Sequence, residues 1–145
     1  MKKEIWKLEE ELAIEKGIEK HAGKKIVQYE GLLKHIAKHE SEYISIESCE
    51  YTINNIQNII KNHDYVYYNE EKQGLEYYKE LMEKVCVVVQ IVNKRELPVV
   101  SVYPVPDKRY QIVNIKSNIT NTLLQKMNLK KETTCKCNKI SVGFL

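Results

Sequence analysis

The sequence predicts an α+β fold in which N-terminal helices pack on a small antiparallel β-sheet, with a C-terminal helix and tail. Three observations carry that reading. Apolar residues recur at helical spacing up to Asn62. Past Asn62 the period shortens towards that of a strand, and tyrosines and valines take over. Val85–Val92 is then β-branched almost throughout, and after a polar turn Val99–Val105 alternates. At 145 residues the chain is long enough for one core and too short for two.

Taken in order, residues 4–18 place Ile5, Leu8, Leu12 and Ile18 among charged residues, which predicts an amphipathic helix ending near Gly17 or Gly23. Residues 1–24 are thus a helical arm beside the main fold. Lys25–Tyr29 reads as a short strand that opens the α+β unit. From Gly31 to Tyr43 the pattern is helical again, with Leu32, Ile36 and Tyr43 inward. A third helix covers Ser48–Asn62 and buries Ile53, Ile56, Ile59 and Ile60. Tyr65–Tyr68 and Leu75–Tyr78 are strands flanking a turn over Asn69–Gly74. Val85–Val92 fits a strand buried on both faces. Asn93-Lys94-Arg95-Glu96 turns the chain into Val99–Val105, with Val100 and Val102 on one face and Ser101 and Tyr103 on the other. Pro98, Pro104 and Pro106 bound that strand. Tyr110–Ile115 adds an edge strand and closes a unit spanning 25–116. Residues 117–145 hold a helix over Asn118–Asn128 and a basic tail.

Composition narrows the class. With 43% hydrophobic and 30% charged residues, the chain is neither disordered nor a membrane protein. Its longest apolar stretch, Val85–Val92, is broken by Gln90 and is too short to span a bilayer. The start, Met1-Lys2-Lys3-Glu4-Ile5-Trp6, runs straight into Glu9, Glu10 and Glu11, unlike a signal peptide. A cytoplasmic protein is expected, with any export left to a machinery that reads no such signal. Ten tyrosines against one Phe and one Trp fit half-buried strands with a wet face, although codon bias produces the same count. Cys86 reads as a core thiol, and Cys135-Lys136-Cys137 is half a metal site with no second pair nearby. The net charge of +3 is uneven: beyond Pro106, cations such as Lys108, Arg109 and Lys116 face only Asp107 and Glu132. That asymmetry points to a polyanionic partner, or simply to a solvated face.

Two segments carry chemistry. In Leu33-Lys34-His35-Ile36-Ala37-Lys38-His39, His35 and His39 stand one helical turn apart, and Lys34 and Lys38 form a parallel row. The readings are a polar helix face, a metal pair completed by His63, or a metal-free site of proton exchangers and cations. The metal pair lacks the Glu that follows the first His in the protease helix, because Ile36 stands there. The second segment is Ser101 and Tyr103, two hydroxyls on one strand face that suit a phosphate or a sugar, or merely a wet face.

These pieces occur in a suggestive order: His35-Ile36-Ala37-Lys38-His39, then Ile59-Ile60-Lys61-Asn62-His63-Asp64-Tyr65-Val66, then Val100-Ser101-Val102-Tyr103. The order resembles the phage- and polymorphic-toxin-associated nucleases of the barnase, EndoU, colicin and RelE-like superfamily. The resemblance covers residues 28–106. His63 departs from it, since the family usually has Pro there; a helix stop is lost, but no expected chemistry is touched. The resemblance implies helices on a four-stranded antiparallel sheet and a metal-independent ribonuclease without cofactors. It puts His35, His39 and Ser101 on active-site positions and Lys38 and Tyr103 beside them. Lys34, Lys108 and Arg109 are further candidates for holding the substrate.

The expected partners are RNA and a cognate immunity or antitoxin protein, with no membrane. The expected reaction is attack of a 2′-hydroxyl on the adjacent phosphorus, leaving a 2′,3′-cyclic phosphate. It needs a base and an acid on opposite sides of phosphorus, whereas His35 and His39 rise from one helix. The alternative is a non-catalytic RNA- or protein-binding module on the same scaffold.

Overall fold

The computed structural model describes residues 2–116. In chain order these form β1 (Lys2–Lys7), α1 (Glu10–Glu15), β2 (Lys25–Tyr29), α2 (Glu30–Lys38), α3 (Ile46–Ile53), α4 (Ile56–Lys61), β3 (Tyr65–Asn69), β4 (Gly74–Glu80), β5 (Lys84–Gln90) and β6 (Glu96–Pro104). A helix, α5, follows over residues 107–116. The class is α+β as the sequence predicts, but the sheet has six strands rather than four. Their order is β1-β2-β6-β5-β4-β3. The sheet is also mixed, because β2 runs parallel to β6, while the other neighbouring strands are antiparallel. The expected Asn118–Asn128 helix, the Cys135-Lys136-Cys137 pair and the basic tail lie outside the described residues.

The expected helix over residues 4–18 is a correction. Lys2–Lys7 is instead a strand paired with Lys25–Tyr29, and only Glu10–Glu15 is α-helical. A bulge at Ile5, between the Glu4–Val27 and Trp6–Ile26 pairs, breaks the alternation that would have marked a strand. Ile5, Leu8 and Ala13 then enter the core. Pairing with a distant strand overrides the local helical spacing. The third helix also divides. Ser45 caps α3 through its Oγ, which accepts from the Ser48 N–H at 3.0 Å, and Asn54-Asn55 interrupts the helix before α4. Finally, Tyr110–Ile115 is helical and not an edge strand. Tyr110 and Val113, three apart, are buried while Ile112 and Ile115 stay exposed, so packing selects the helical period from an ambiguous pattern.

The β5–β6 hairpin forms as predicted, antiparallel, with Val87 opposite Val102. One face of the sheet carries Leu75, Tyr77, Val87, Val89 and Val102 against Leu32 and Ile36 of α2 and Ile56, Ile59 and Ile60 of α4. Each such fully buried aliphatic side chain stabilises the fold by about 1.5–3 kcal/mol. The opposite face has a smaller cluster, in which Tyr78 and Cys86 meet Tyr110 and Val113 of α5. A bulge in β6 corrects the expected facing of Val100 and Val102. Val88 pairs with Ser101 and Val89 with Val99, so Val100 is the extra residue and stays exposed while Val102 is buried.

The parallel pair sets up the functional region. β2 accompanies β6 only over Glu96–Pro98. The chain then leaves the sheet at Tyr29 and becomes α2, which packs beside the rest of β6. Its polar side reaches over the edge of the sheet towards the face that α5 covers only in part.

Candidate active site

A cleft of about 470 Å³ opens on that second face. One wall is His35, His39 and Glu42, supplied by α2 and the turn that follows it. The opposite wall is Asn69, which ends β3, and Lys72 from the turn into β4. Gly74, Glu76, Val88, Gln90, Val100 and Ser101 form the floor, and Tyr103 and Arg109 close one end. The structure thus brings His35, His39, Ser101, Tyr103 and Arg109 to one place although they span most of the described chain. Lys34, Lys38 and Lys108 are exposed and do not line the cleft.

The histidine wall is ordered by contacts along the chain. The rings of His35 and His39 lie 5.0 Å apart, tilted. Ile36, on the buried side of the same helix, fixes the rotation that presents them. His39 is the residue that ends α2, and its Nδ1 makes a short hydrogen bond to Oε2 of Glu42. With Nδ1 engaged, Nε2 of His39 is the nitrogen left for a ligand.

The floor holds a residue that sequence reasoning missed. Glu76 is 6% exposed, a buried carboxyl on a sheet face shared with Gly74 and Tyr78. The Tyr78 hydroxyl donates to Oε1 at 2.6 Å, and Nδ2 of Asn69 lies 3.5 Å from Oε2. Nη2 of Arg109 stands 3.8 Å from Oε1. Arg109 comes from α5, which is pinned by the Tyr110 hydroxyl donating to Oδ2 of Asp64 at 3.0 Å and by an ion pair between Lys84 and Asp107 at 3.0 Å. A signal for Glu76 existed: it is the one carboxylate in Leu75–Tyr78, with a tyrosine two places on and therefore on its face.

The phenols and thiol beneath the cleft are poor proton exchangers near neutrality. Burial raises Tyr78 well above the ordinary phenol value, with Cys86 and Glu76 adding to the effect. Burial likewise raises Tyr103, helped by Cys86. The Cys86 thiol is pushed up to about 12, mainly by burial. Hydrogen bonding to Tyr78 keeps the Arg109 guanidinium still more firmly protonated.

His63 lies away from this cleft, with Nδ1 at 3.0 Å from the Ile60 carbonyl and its ring against Tyr77. The His35–His39–His63 metal set is therefore not assembled, and among the described residues no group of three His, Cys, Asp or Glu side chains is placed to hold a metal ion. No helix among the described residues is long and apolar enough to cross a membrane.

A pair of histidines facing a buried carboxylate, with an arginine and a hydroxyl between, is a set of groups suited to breaking phosphodiesters. Residues 3–111 match the family model described as phage-Barnase-EndoU-ColicinE5/D-RelE like nuclease 3. The chain belongs to this nuclease family. The match takes in β1 and Arg109 as well as the segments that carried the resemblance in sequence. Comparison with curated proteins and with solved structures found no match.

Proposed function

We propose that the chain is a metal-independent endoribonuclease that cleaves RNA by transphosphorylation. The observation that carries this reading is Glu76 across the cleft from the histidines. β4 and β6 are separated by β5, and Glu76 pairs with Val88, which pairs with Ser101, so two strand spacings of about 4.8 Å put roughly 10 Å between the backbones at Glu76 and Ser101, with α2 and its histidines beyond β6. A phosphate flanked by two hydrogen bonds of about 3 Å each fits that span. The single-helix difficulty disappears, because the base comes from β4 in the floor and the acid from the end of α2 in the wall.

Glu76 takes the proton of the 2′-hydroxyl as that oxygen bonds to the adjacent phosphorus. The bond from phosphorus to the 5′-oxygen breaks, and His39 gives its Nε2 proton to the leaving oxygen. His35 and Arg109 balance the charge on the nonbridging oxygens, and the Ser101 hydroxyl donates to one of them. The products are a 2′,3′-cyclic phosphate and a 5′-hydroxyl, so atoms and protons balance without water. Exchange with solvent then takes the proton from Glu76 and returns one to His39, which closes the cycle.

The test is incubation of end-labelled RNA with purified protein in excess EDTA, with analysis of the product ends. Cleavage leaving cyclic phosphates supports the reading. A requirement for Mg²⁺, or 5′-phosphate products, overturns it, and RNA binding without cleavage moves the chain to the class of binding modules.

A further inference from the structure

We propose that the strip of cleft floor formed by Gly74, Val88 and Val100 is a platform for one nucleobase, so that the chain grips a base next to the phosphate it attacks. The proposal rests on the ribonuclease reading for its choice of ligand, but its first two observations, the β6 bulge and Gly74, involve no catalytic group.

The first is the β6 bulge. Val99 and Val102 are core residues at 4% and 2% exposure, yet the extra residue between Val99 and Ser101 turns Val100 outward to 41%. Bulges re-aim side chains, and this one aims an aliphatic group into a polar cleft. The second is Gly74. Its φ is not positive, so the backbone does not call for glycine. A Cβ there would lie 3.2 Å from Cγ1 of Val88, tighter than ordinary packing. Glycine keeps the surface over Val88 clear.

The third observation is the pair of amides, Gln90 and Asn69, beside the strip. Nε2 of Gln90 donates to the carbonyls of Lys72 and Gln73 at 2.9 and 3.0 Å, which fixes its Oε1 as the acceptor end. Oδ1 of Asn69 accepts from the Lys72 N–H at 3.2 Å, so its amide is the donor end, with one N–H towards Oε2 of Glu76 and the second for a ligand. An aliphatic floor bounded by a fixed donor and a fixed acceptor suits a planar heterocycle with hydrogen-bonding edges. Arg109 and Lys72 supply the positive charge that its phosphate requires.

Calorimetric titration with the four ribonucleoside 3′-monophosphates and with ribose phosphate tests the platform. At least one nucleotide should bind about tenfold tighter than ribose phosphate, the effect of burying roughly 50 Å² of apolar surface. Val100→Asn, at an exposed position, should remove that preference and leave ribose phosphate affinity unchanged. Gly74→Ala should weaken nucleotide binding in the same way. Equal affinity for nucleotides and ribose phosphate, no binding of either, or an equal loss for both ligands in Val100→Asn overturns the platform. RNA cleavage by the same preparations separates the two ideas. Cleavage with no base preference in binding rejects the platform and keeps the ribonuclease, whereas Val100-dependent nucleotide binding without cleavage does the reverse.

Discussion

The Tyr78 hydroxyl donates a 2.6 Å hydrogen bond to Oε1 of Glu76, two residues earlier on the same face of β4. Residues two apart on a strand share a face, so this contact is built into the local sequence. It has a consequence for the site. Burial and its neighbours hold the Tyr78 phenol far above neutrality, so it remains a donor to Glu76 throughout the working pH range. The carboxyl is thus fixed in orientation while its second oxygen faces the cleft and Asn69.

Replacing Glu76 by Gln should lower RNA cleavage roughly 10²-fold or more, the effect of losing a general base. Gln has nearly the same volume and still accepts from Tyr78, so circular dichroism and the unfolding midpoint should change little. Full activity in Glu76→Gln would return the base role to one of the histidines. Tyr78→Phe should instead cost about 1–3 kcal/mol of stability, because a buried acceptor loses its donor. Urea unfolding measures that loss.

His39→Ala should reduce cleavage by roughly 10²-fold or more if it is the proton donor. His35→Ala should fall in the same direction, and Ser101→Ala should lose about tenfold, the worth of one hydrogen bond to a charged group. None of the three should move the unfolding midpoint much, since Leu32 and Ile36 carry the burial of α2. Single-turnover cleavage rates decide the order. A double histidine variant with undiminished activity contradicts the mechanism.

Much of this arrangement could be read before folding, and the exceptions have physical causes. The β5–β6 hairpin was legible because two short β-branched runs, Val85–Val92 and Val99–Val105, flank a polar turn. The clustering of His35, His39 and Ser101 around one cleft was implied by the resemblance to the nuclease family. The strand at Lys2–Lys7 was not legible, since the bulge at Ile5 erases its alternation and its partner, β2, lies eighteen or more residues downstream. The helix over 107–116 was ambiguous because Tyr110, Ile112, Val113 and Ile115 satisfy both periods until one face is buried. Glu76 escaped notice because a carboxylate in a strand ordinarily marks the wet face. Here that face is partly covered, and Glu76 is buried in contact with Tyr78, Asn69 and Arg109 of α5.

Arg109→Gln should weaken RNA binding and reduce the slope of log affinity against log salt by about 1, as for the loss of one phosphate contact. Lys108→Gln, one residue away and outside the cleft, should give a comparable or smaller change in salt slope with no change in the single-turnover rate. Arg109→Gln should lower that rate as well, because the guanidinium stands 3.8 Å from Oε1 of Glu76. Filter binding at several salt concentrations and single-turnover kinetics separate the two effects. Identical behaviour of the two variants would remove Arg109 from the site.

Stability should fall as the pH drops below neutrality, and His21 should account for part of the fall. His21 is buried, and its Nδ1 lies 2.8 Å from Nζ of Lys24, which also donates to the Val92 carbonyl at 3.1 Å. An ammonium has no acceptor, so Nδ1 must be the unprotonated nitrogen. Burial, then Lys24 and Lys20, hold His21 below its ordinary value of 6.5. As the pH falls past 6.5, the unfolded chain takes up a proton that the folded chain refuses, and the equilibrium shifts towards unfolding. The contribution is complete above the unfolded value and is lost as pH falls through the folded one. His21→Asn keeps an acceptor for Lys24 without a titrating group. Urea midpoints at pH 7.5 and 5.5 should therefore differ less in His21→Asn than in the wild type. His35, His39 and His63 are common to both proteins, so the difference between them reports His21 alone, and equal pH dependence in the two would show that this histidine does not oppose protonation.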